Sequence, residues 1–469
     1  MSSGYFTRMS PVDGFERSAR GLRRGSPSSI RDRGSVTESR IAAALMLADL
    51  RHGDLLDAAF ERRTQTLDGR DRRWLHEMLW GMLRRRGWID AVLSVRVKGG
   101  LAKLDAEIVD LLRVGLYQLL FMGSVPAYAA IAQTVEISKR RAGIGASKLV
   151  NAVLRRVDRE RETLQPAIPG DRIAALAQQH SHPEWVVARW AERWGIDEVE
   201  QLLIANNEES TITVRPYRVA REQLDAMLTG SGVTTAEVPL VADSIRLAAG
   251  VALNELEAFQ RGLLYVQDPA ATLVTQYADI PQGAVVADLC AAPGTKALEL
   301  SRRAAIVFAA DRSKARVERM LVGFGRLDAR RVCPLVADAI APALACADVV
   351  LVDAPCTGTG TFRRHPDARW RLRISDLAVL GASQRAILRA AAGIVRPGGL
   401  LVYSTCSLEP EENDEMVNAF LADHPEFVLE PPPRGVVPDT VIDNGRLQVL
   451  PHRHATDGAF AARMRRVSE

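Results

Sequence analysis

The stretch VVADLCAAPGTKALEL, Val285 to Leu300, decides the fold. It begins as an apolar run ending on Asp288, passes through a turn of mostly small residues (Cys290, Ala291, Ala292, Pro293, Gly294, Thr295 and Lys296), and continues as the start of a helix. A short apolar run bounded in this way reads as a strand buried on both faces of a sheet. The unit repeats outward. Strands are expected at 284–288, 305–311, 332–336, 348–353 and 399–404, separated by helical stretches. Such alternation predicts an α/β domain with a mostly parallel, doubly wound sheet, and sheets of that kind collect ligands at the carboxyl ends of their strands.

Upstream the rhythm is helical. Ile41, Ala44, Leu45 and Ala48 are expected to form one buried face, and Ile108, Leu111, Leu112, Leu116, Leu119 and Leu120 another. Gly99-Gly100 and the run from Gly123 to Pro126 interrupt the pattern, so several helices in a bundle are expected. The last of them carries Lys139, Arg140, Arg141, Lys148, Arg155, Arg156 and Arg159, which reads either as a phosphate-attracting patch or as a solvated helix face. Next comes a mixed segment. Its Trp185, Trp190 and Trp194 stand at near-helical spacing and read as packing anchors, with base stacking as the alternative, and strand-like runs follow at 211–214 and 244–247. The expected division is a disordered basic arm over 1–37, a helical bundle over 38–165, a mixed α/β connector over 166–257 and the α/β domain over 258–469.

Bulk properties bound the function. A chain of 469 residues exceeds one ordinary core, and no apolar run approaches the roughly 18 residues of a membrane span. The arm lacks an apolar signal core, and Asp13, Glu16 and Asp32 argue against a transit peptide. Five cysteines, odd in number and without CxxC spacing, suggest neither a disulfide framework nor a metal site, so a reducing cytoplasm is expected. A net charge of only +4 means that any case for nucleic acid rests on local clusters.

The chemistry gathers at the strand ends. The turn from Cys290 to Lys296 lets backbone approach a nucleoside, and helix amides beyond it suit a carboxylate. Asp311, after the second strand, is placed to accept from ribose hydroxyls, and Asp338, after the third, to reach an adenine edge; for each, capping a helix is the alternative. ADVVLVDAPCTGTGTFRRHPDARW sets Asp353, Pro355 and Cys356 at the end of the fourth strand, and LLVYSTCSLEPEEN sets Cys406 at the end of the fifth. Two cysteines at one edge suit cytosine, whose carbon 5 is too weak a nucleophile to take a methyl group directly. A thiolate adding to carbon 6 activates carbon 5, an acid near ring nitrogen 3 stabilises the adduct, and a second group assists loss of the carbon-5 proton so that the thiol leaves.

Taken together, CAAPGTK, DAPCTGTG and STCS resemble the RNA cytosine-carbon-5 methyltransferases, whose catalytic domain is Rossmann-like and uses S-adenosylmethionine. VPAYAAIAQTVEISKR and KLVNAVLRR resemble the closing helices of the RNA-binding NusB-type bundle. The combination is similar to the Fmu/Sun group, the RsmB family, acting on small-subunit (16S) ribosomal RNA, and VQDPAA, HPEW and RRHPDARW agree with it. The resemblance implies that Cys406 attacks, Cys356 helps release the product, Asp353 contacts the base and Lys296 orders the site. It also implies that the cofactor lies across Cys290 to Lys296, Asp311, Asp338 and Asp353. DNA methylases attack with a PC-type cysteine, so the reversed assignment is the rival. Two departures stand out: Thr295 replaces a glycine usual in the turn, which would narrow it, and Ala459 in DGAF replaces an aromatic, which would alter the pocket wall. A monomer is expected. The alternatives are another acceptor, such as transfer RNA, and a non-catalytic RNA-binding assembly factor.

Overall fold

A computed structural model describes residues 36–468, so the expected basic arm lies, but for its last two residues, outside the described residues. The bundle consists of α1 (Glu38–Arg51), α2 (Leu56–Arg63), α3 (Gly69–Arg84), α4 (Arg86–Ser94), α5 (Ala106–Phe121) and α6 (Ala127–Arg159). Its core joins Met46, Leu47, Leu75, Leu79, Leu83, Leu112, Leu116, Val150 and Leu154. The buried face expected for α5 is present, but that of α1 is rotated. Ala44 is buried against Leu111 and Ile137 as expected, but Ile41 is exposed, and Ala42, Ala43, Met46 and Leu47 face the main core. Two apolar stripes run side by side on α1, and the one with the longer Met46 and Leu47 side chains covers more area. α6 is broken at Gly143 (φ 87°), so its basic residues fall on two helical segments. Arg140, Arg141 and Arg156 there are paired with Glu136, Glu107 and Glu160.

The connector begins with α7 (Arg172–Gln179), α8 (Glu184–Trp194) and α9 (Ile196–Ala205). Trp190 is buried among Val186, Leu202, Leu203, Phe362 and Leu408, with Trp185 and Trp194 half-buried on the same cluster, so these tryptophans are packing anchors. An antiparallel sheet follows, of β1 (Ile212–Pro216), β2 (Thr235–Glu237), β3 (Ile245–Leu247) and β4 (Leu264–Val266), in the order β2-β3-β1-β4.

The second sheet holds β5 (Val285–Asp288), β6 (Ile306–Asp311), β7 (Val332–Val336), β8 (Ala347–Asp353), β9 (Val395–Thr405), β10 (Phe427–Leu429), β11 (Ile442–Asp443), β12 (Arg446–Val449) and β13 (Ala459–Arg466). Its order is β11-β12-β13-β9-β8-β5-β6-β7, with β10 on β13. The five strands read from the sequence, β5 to β9, are mutually parallel, and β13 lies antiparallel against β9. Strand order reverses between β5 and β8. That places the turn after β5 and the loop after β8 at the switch point, where open α/β sheets bind ligands. Among the described residues no helix is long and apolar enough to cross a membrane.

Candidate active site

β8 and β9 run in register with Asp353 opposite Ser404, so the residues that follow them, including Cys356 and Cys406, emerge at one edge. The two sulfurs are 3.4 Å apart. Asp353 is held from both sides: Lys296 Nζ donates to Oδ2 at 2.6 Å and Ser404 Oγ to Oδ1 at 2.8 Å. Burial pulls the Lys296 ammonium down, but the charges of Asp353, Cys406 and Asp288 outweigh it and the pKa rises, so Lys296 stays a cation.

The thiols are electrostatically unequal. Cys406 lies below the ordinary thiol range, first because Cys356 donates a hydrogen bond to it. Burial and Asp353 oppose that shift, while Lys296 and His365 assist. Cys356 is pushed well up by the same hydrogen bond, then by burial and the charges of Cys406 and Glu412. The two thiols therefore titrate as a coupled pair, with Cys406 the first to lose its proton.

Close backbone contact fixes the loops. Gly360 N donates to Cys406 O at 2.9 Å and Gly458 N to Gly360 O at 2.8 Å. A Cβ on Gly360 would sit 2.8 Å from both Cys406 O and Gly458 Cα, so only glycine brings the Cys356 loop this near the Cys406 loop. The Thr359 hydroxyl accepts from the Leu408 amide at 2.8 Å, and Asn413 donates to Ser407 O at 2.8 Å.

The turn after β5 supplies the neighbouring surface. Gly294 adopts φ 100°, and a Cβ there would lie 2.5 Å from Phe324. Thr295, by contrast, is the first residue of the helix Thr295–Leu300, a position whose backbone needs no glycine. Asp288 is buried, and neither carboxylate oxygen has a hydrogen-bond partner among the described residues. Burial, then the charge of Asp353, pushes its pKa up to about 8. Asp311 is buried beside the turn. Its Oδ1 accepts from Ser313 N at 2.9 Å, and its Oδ2 lies 3.1 Å from Arg316, which also donates to Ala292 O. Burial raises the Cys290 thiol far above its usual range, as befits a structural turn residue. Asp338 is exposed just past the end of β7 and accepts from Ile340 N at 3.1 Å, and the preceding Ala337 N donates to Asp311 O at 3.2 Å. Ala459 packs with Val241, Leu273, Tyr277 and Val449 in a separate apolar cluster, not on a wall beside the thiols.

The sequence reading missed the residues that brace the site. Ser404 was inside a quoted motif, and Glu412 and Asn413 ended one; their polarity next to apolar strand and helix was the available signal.

A doubly wound sheet with a small-residue turn at its switch point and two thiols at the same edge defines an α/β group-transfer domain of the cofactor-dependent kind. Residues 277–465 match the family described as 16S rRNA methyltransferase RsmB/F, residues 37–159 the NusB family and residues 182–254 the ferredoxin-like domain of RsmF/B-like methyltransferases. A probable ribosomal RNA small subunit methyltransferase B of Synechocystis is 32% identical over 92% of this chain and 100% of its own length. That of Bacillus subtilis is 33% identical over 86% and 92%. A crystal structure known by a locus label superposes with TM-score 0.77 at 28% identity, covering 92% of this chain and 99% of its own. A methyltransferase homologue from Pyrococcus horikoshii shares the fold at TM-score 0.54 and 23% identity, over 64% and 100%. The chain belongs to the RsmB/F family of 16S rRNA methyltransferases.

Proposed function

We propose that this protein transfers a methyl group from S-adenosylmethionine to carbon 5 of a cytosine in 16S ribosomal RNA, through a covalent bond between Cys406 and carbon 6. The observation that carries this reading is the pair of thiols 3.4 Å apart beside the Lys296–Asp353 ion pair. The cofactor fits the residues around the turn. The carboxylate of Asp288, buried without a partner, suits a cationic group, and the small-residue turn suits close approach by a nucleoside. Cys290, Ala291, Ala292, Pro293, Gly294, Thr295, Lys296, Asp311, Asp338 and Asp353 would hold it. Bound there, it supplies an electrophilic methyl group.

The chain's residues do the rest. Cys406, as thiolate, adds to carbon 6, and the electron pair of the 5,6 double bond moves into the ring. Charge building at ring nitrogen 3 is met by a proton held between Lys296 and Asp353, which also grips the polar edge of the base. Carbon 5, now enamine-like, takes the methyl group. Cys356, having given its own proton to water once Cys406 is bonded to carbon 6, takes the carbon-5 proton; the freed electron pair re-forms the double bond and expels Cys406 as thiolate, while ring nitrogen 3 returns its proton to the Lys296–Asp353 pair. The target cytosine must be unpaired or flipped to reach the thiols. The bundle grips the flanking backbone, where Lys139, Lys148 and Arg159 carry no ion pair among the described residues.

The test is incubation with methyl-labelled S-adenosylmethionine and protein-free small-subunit RNA, followed by nucleoside analysis and a denaturing gel. Labelled 5-methylcytidine is expected, with RNA trapped on the protein by Cys356→Ala. A different labelled nucleoside, or no label on that RNA, on assembling subunits and on transfer RNA, overturns the reading.

A further inference from the structure

Cys356 and Cys406 are chemically the same group in van der Waals contact, yet only one can begin the reaction, and the charges facing them are not symmetrical. Facing Cys406 are Lys296, the Asp353 that Lys296 binds, and the imidazole of His365, whose Nδ1 lies 3.1 Å from Asp57 on α2. Facing Cys356 are the Tyr403 ring and Glu412.

Glu412 is fully buried, and its carboxylate is met by two N–H donors and one hydroxyl. Thr357 N lies at 2.9 Å, Gln384 Nε2 at 3.0 Å, and the Thr357 hydroxyl completes the set. Two N–H groups and a hydroxyl that can turn to donate make a pocket suited to negative charge. The pocket also brackets Cys356. Thr357 follows it directly, and Gln384 donates from the same nitrogen to Pro355 O, just before it, at 3.0 Å. The Glu412 carbonyl in turn accepts from Tyr403 OH at 2.7 Å, which ties the device to β9, the strand that carries Cys406.

We propose that Glu412 is a positioning residue that selects the nucleophile: its buried carboxylate holds the pair's proton on Cys356, leaving the thiolate on Cys406. Without that charge the bias toward thiolate at Cys406 rests on Lys296 and His365 alone. The inference deepens the function proposed above and rests on it only for the statement that Cys406 attacks.

The experiment uses the full chain without RNA or cofactor. Brief iodoacetamide treatment across a pH series is followed by digestion and mass spectrometry of the Cys356 and Cys406 peptides. In wild type, label is expected at Cys406 from a pH at least about one unit below that for Cys356. Glu412→Gln is isosteric: its oxygen keeps the Thr357 amide, and its NH₂ meets a Thr357 hydroxyl free to turn toward Ser407 Oγ, 3.1 Å away. It is expected to lower the Cys406:Cys356 labelling ratio by about tenfold or more, one pKa unit being tenfold in thiolate. Glu412→Asp, which keeps the charge, is expected to restore most of the ratio, which a purely structural role would not do. An unchanged ratio in folded Glu412→Gln overturns the proposal. So do coincident labelling profiles in wild type, a measurement that stands even if the variants do not fold. If the ratios behave as expected while no RNA is methylated, the proposed function fails and the role of Glu412 stands.

Discussion

The loop after Cys356 is held by the helical bundle through contacts that are mostly hydrogen bonds to backbone carbonyls. Trp80 Nε1 donates to Arg364 O at 3.2 Å, Arg84 to Arg363 O at 3.3 Å, and Trp370 Nε1 back to Leu83 O at 2.9 Å. The loop after Cys406 is held by the connector through charge. Arg189 binds Glu409 at 3.0 Å and Glu411 at 2.7 Å, and Trp190 Nε1 donates to Glu409 at 3.0 Å. The bundle thus grips the Cys356 loop, mostly by shape and main chain, whereas the connector holds the Cys406 loop by ion pairs and reaches the Cys356 loop as well, through Arg369 and Phe362. Among the described residues the bundle's grip responds to ionic strength only through His365–Asp57; the ion-paired grip depends on two particular glutamates and weakens with salt.

That contrast can be broken or sharpened by substitution. The largest effect falls on the chemistry. Cys406→Ala is expected to lower methyl transfer by roughly a thousandfold or more with no covalent adduct, whereas Cys356→Ala forms the adduct and stalls, as labelled-methyl incorporation and a denaturing gel will show. Next is Arg369, buried without a carboxylate and donating to Phe362 O, Ser181 O and Asn206 O and to the Asn207 side chain. Burial brings its pKa down to about 9. Arg369→Met strands these acceptors and is expected to cost about 3 kcal/mol in denaturant unfolding. Arg189→Met leaves the buried Glu409 without its cation. It is expected to cost about 2 kcal/mol and to change alkylation at Cys406 but not at Cys356, while removing any salt dependence of that alkylation in wild type. The smallest effect belongs to Trp80→Phe, which keeps bulk and loses one hydrogen bond, at about 1 kcal/mol with labelling altered only at Cys356. Equal responses at both cysteines would show that the two loops move as one unit.

What the sequence disclosed follows the same physics. β5 to β9 were legible because strands buried on both faces are nearly continuous apolar runs, and the cysteines because their strand-end positions recur. β10 to β13 were not, since short antiparallel strands such as Ile442–Asp443 lack a run long enough to read. The face of α1 was misjudged because two apolar stripes compete on it, and only packing against the other helices decides between them. At the site, Lys296, Asp353, Cys356 and Cys406 come together, while Ala459 lies in another cluster. Glu412 escaped notice because its importance comes from a contact with Thr357, distant in sequence, which no local pattern announces.

The pairing of β13 with β9 has a consequence for the order of synthesis. Phe460 lies opposite Thr405, and Gly458 closes against the Cys356 loop, so the backbone that braces both cysteine loops includes residues translated well after either cysteine. A nascent chain that has released Cys406 from the ribosome still lacks the strand that pairs with β9. The two loops reach their packed arrangement only once residues 457–466 have emerged, which makes the assembly of this edge one of the last events in the making of the chain.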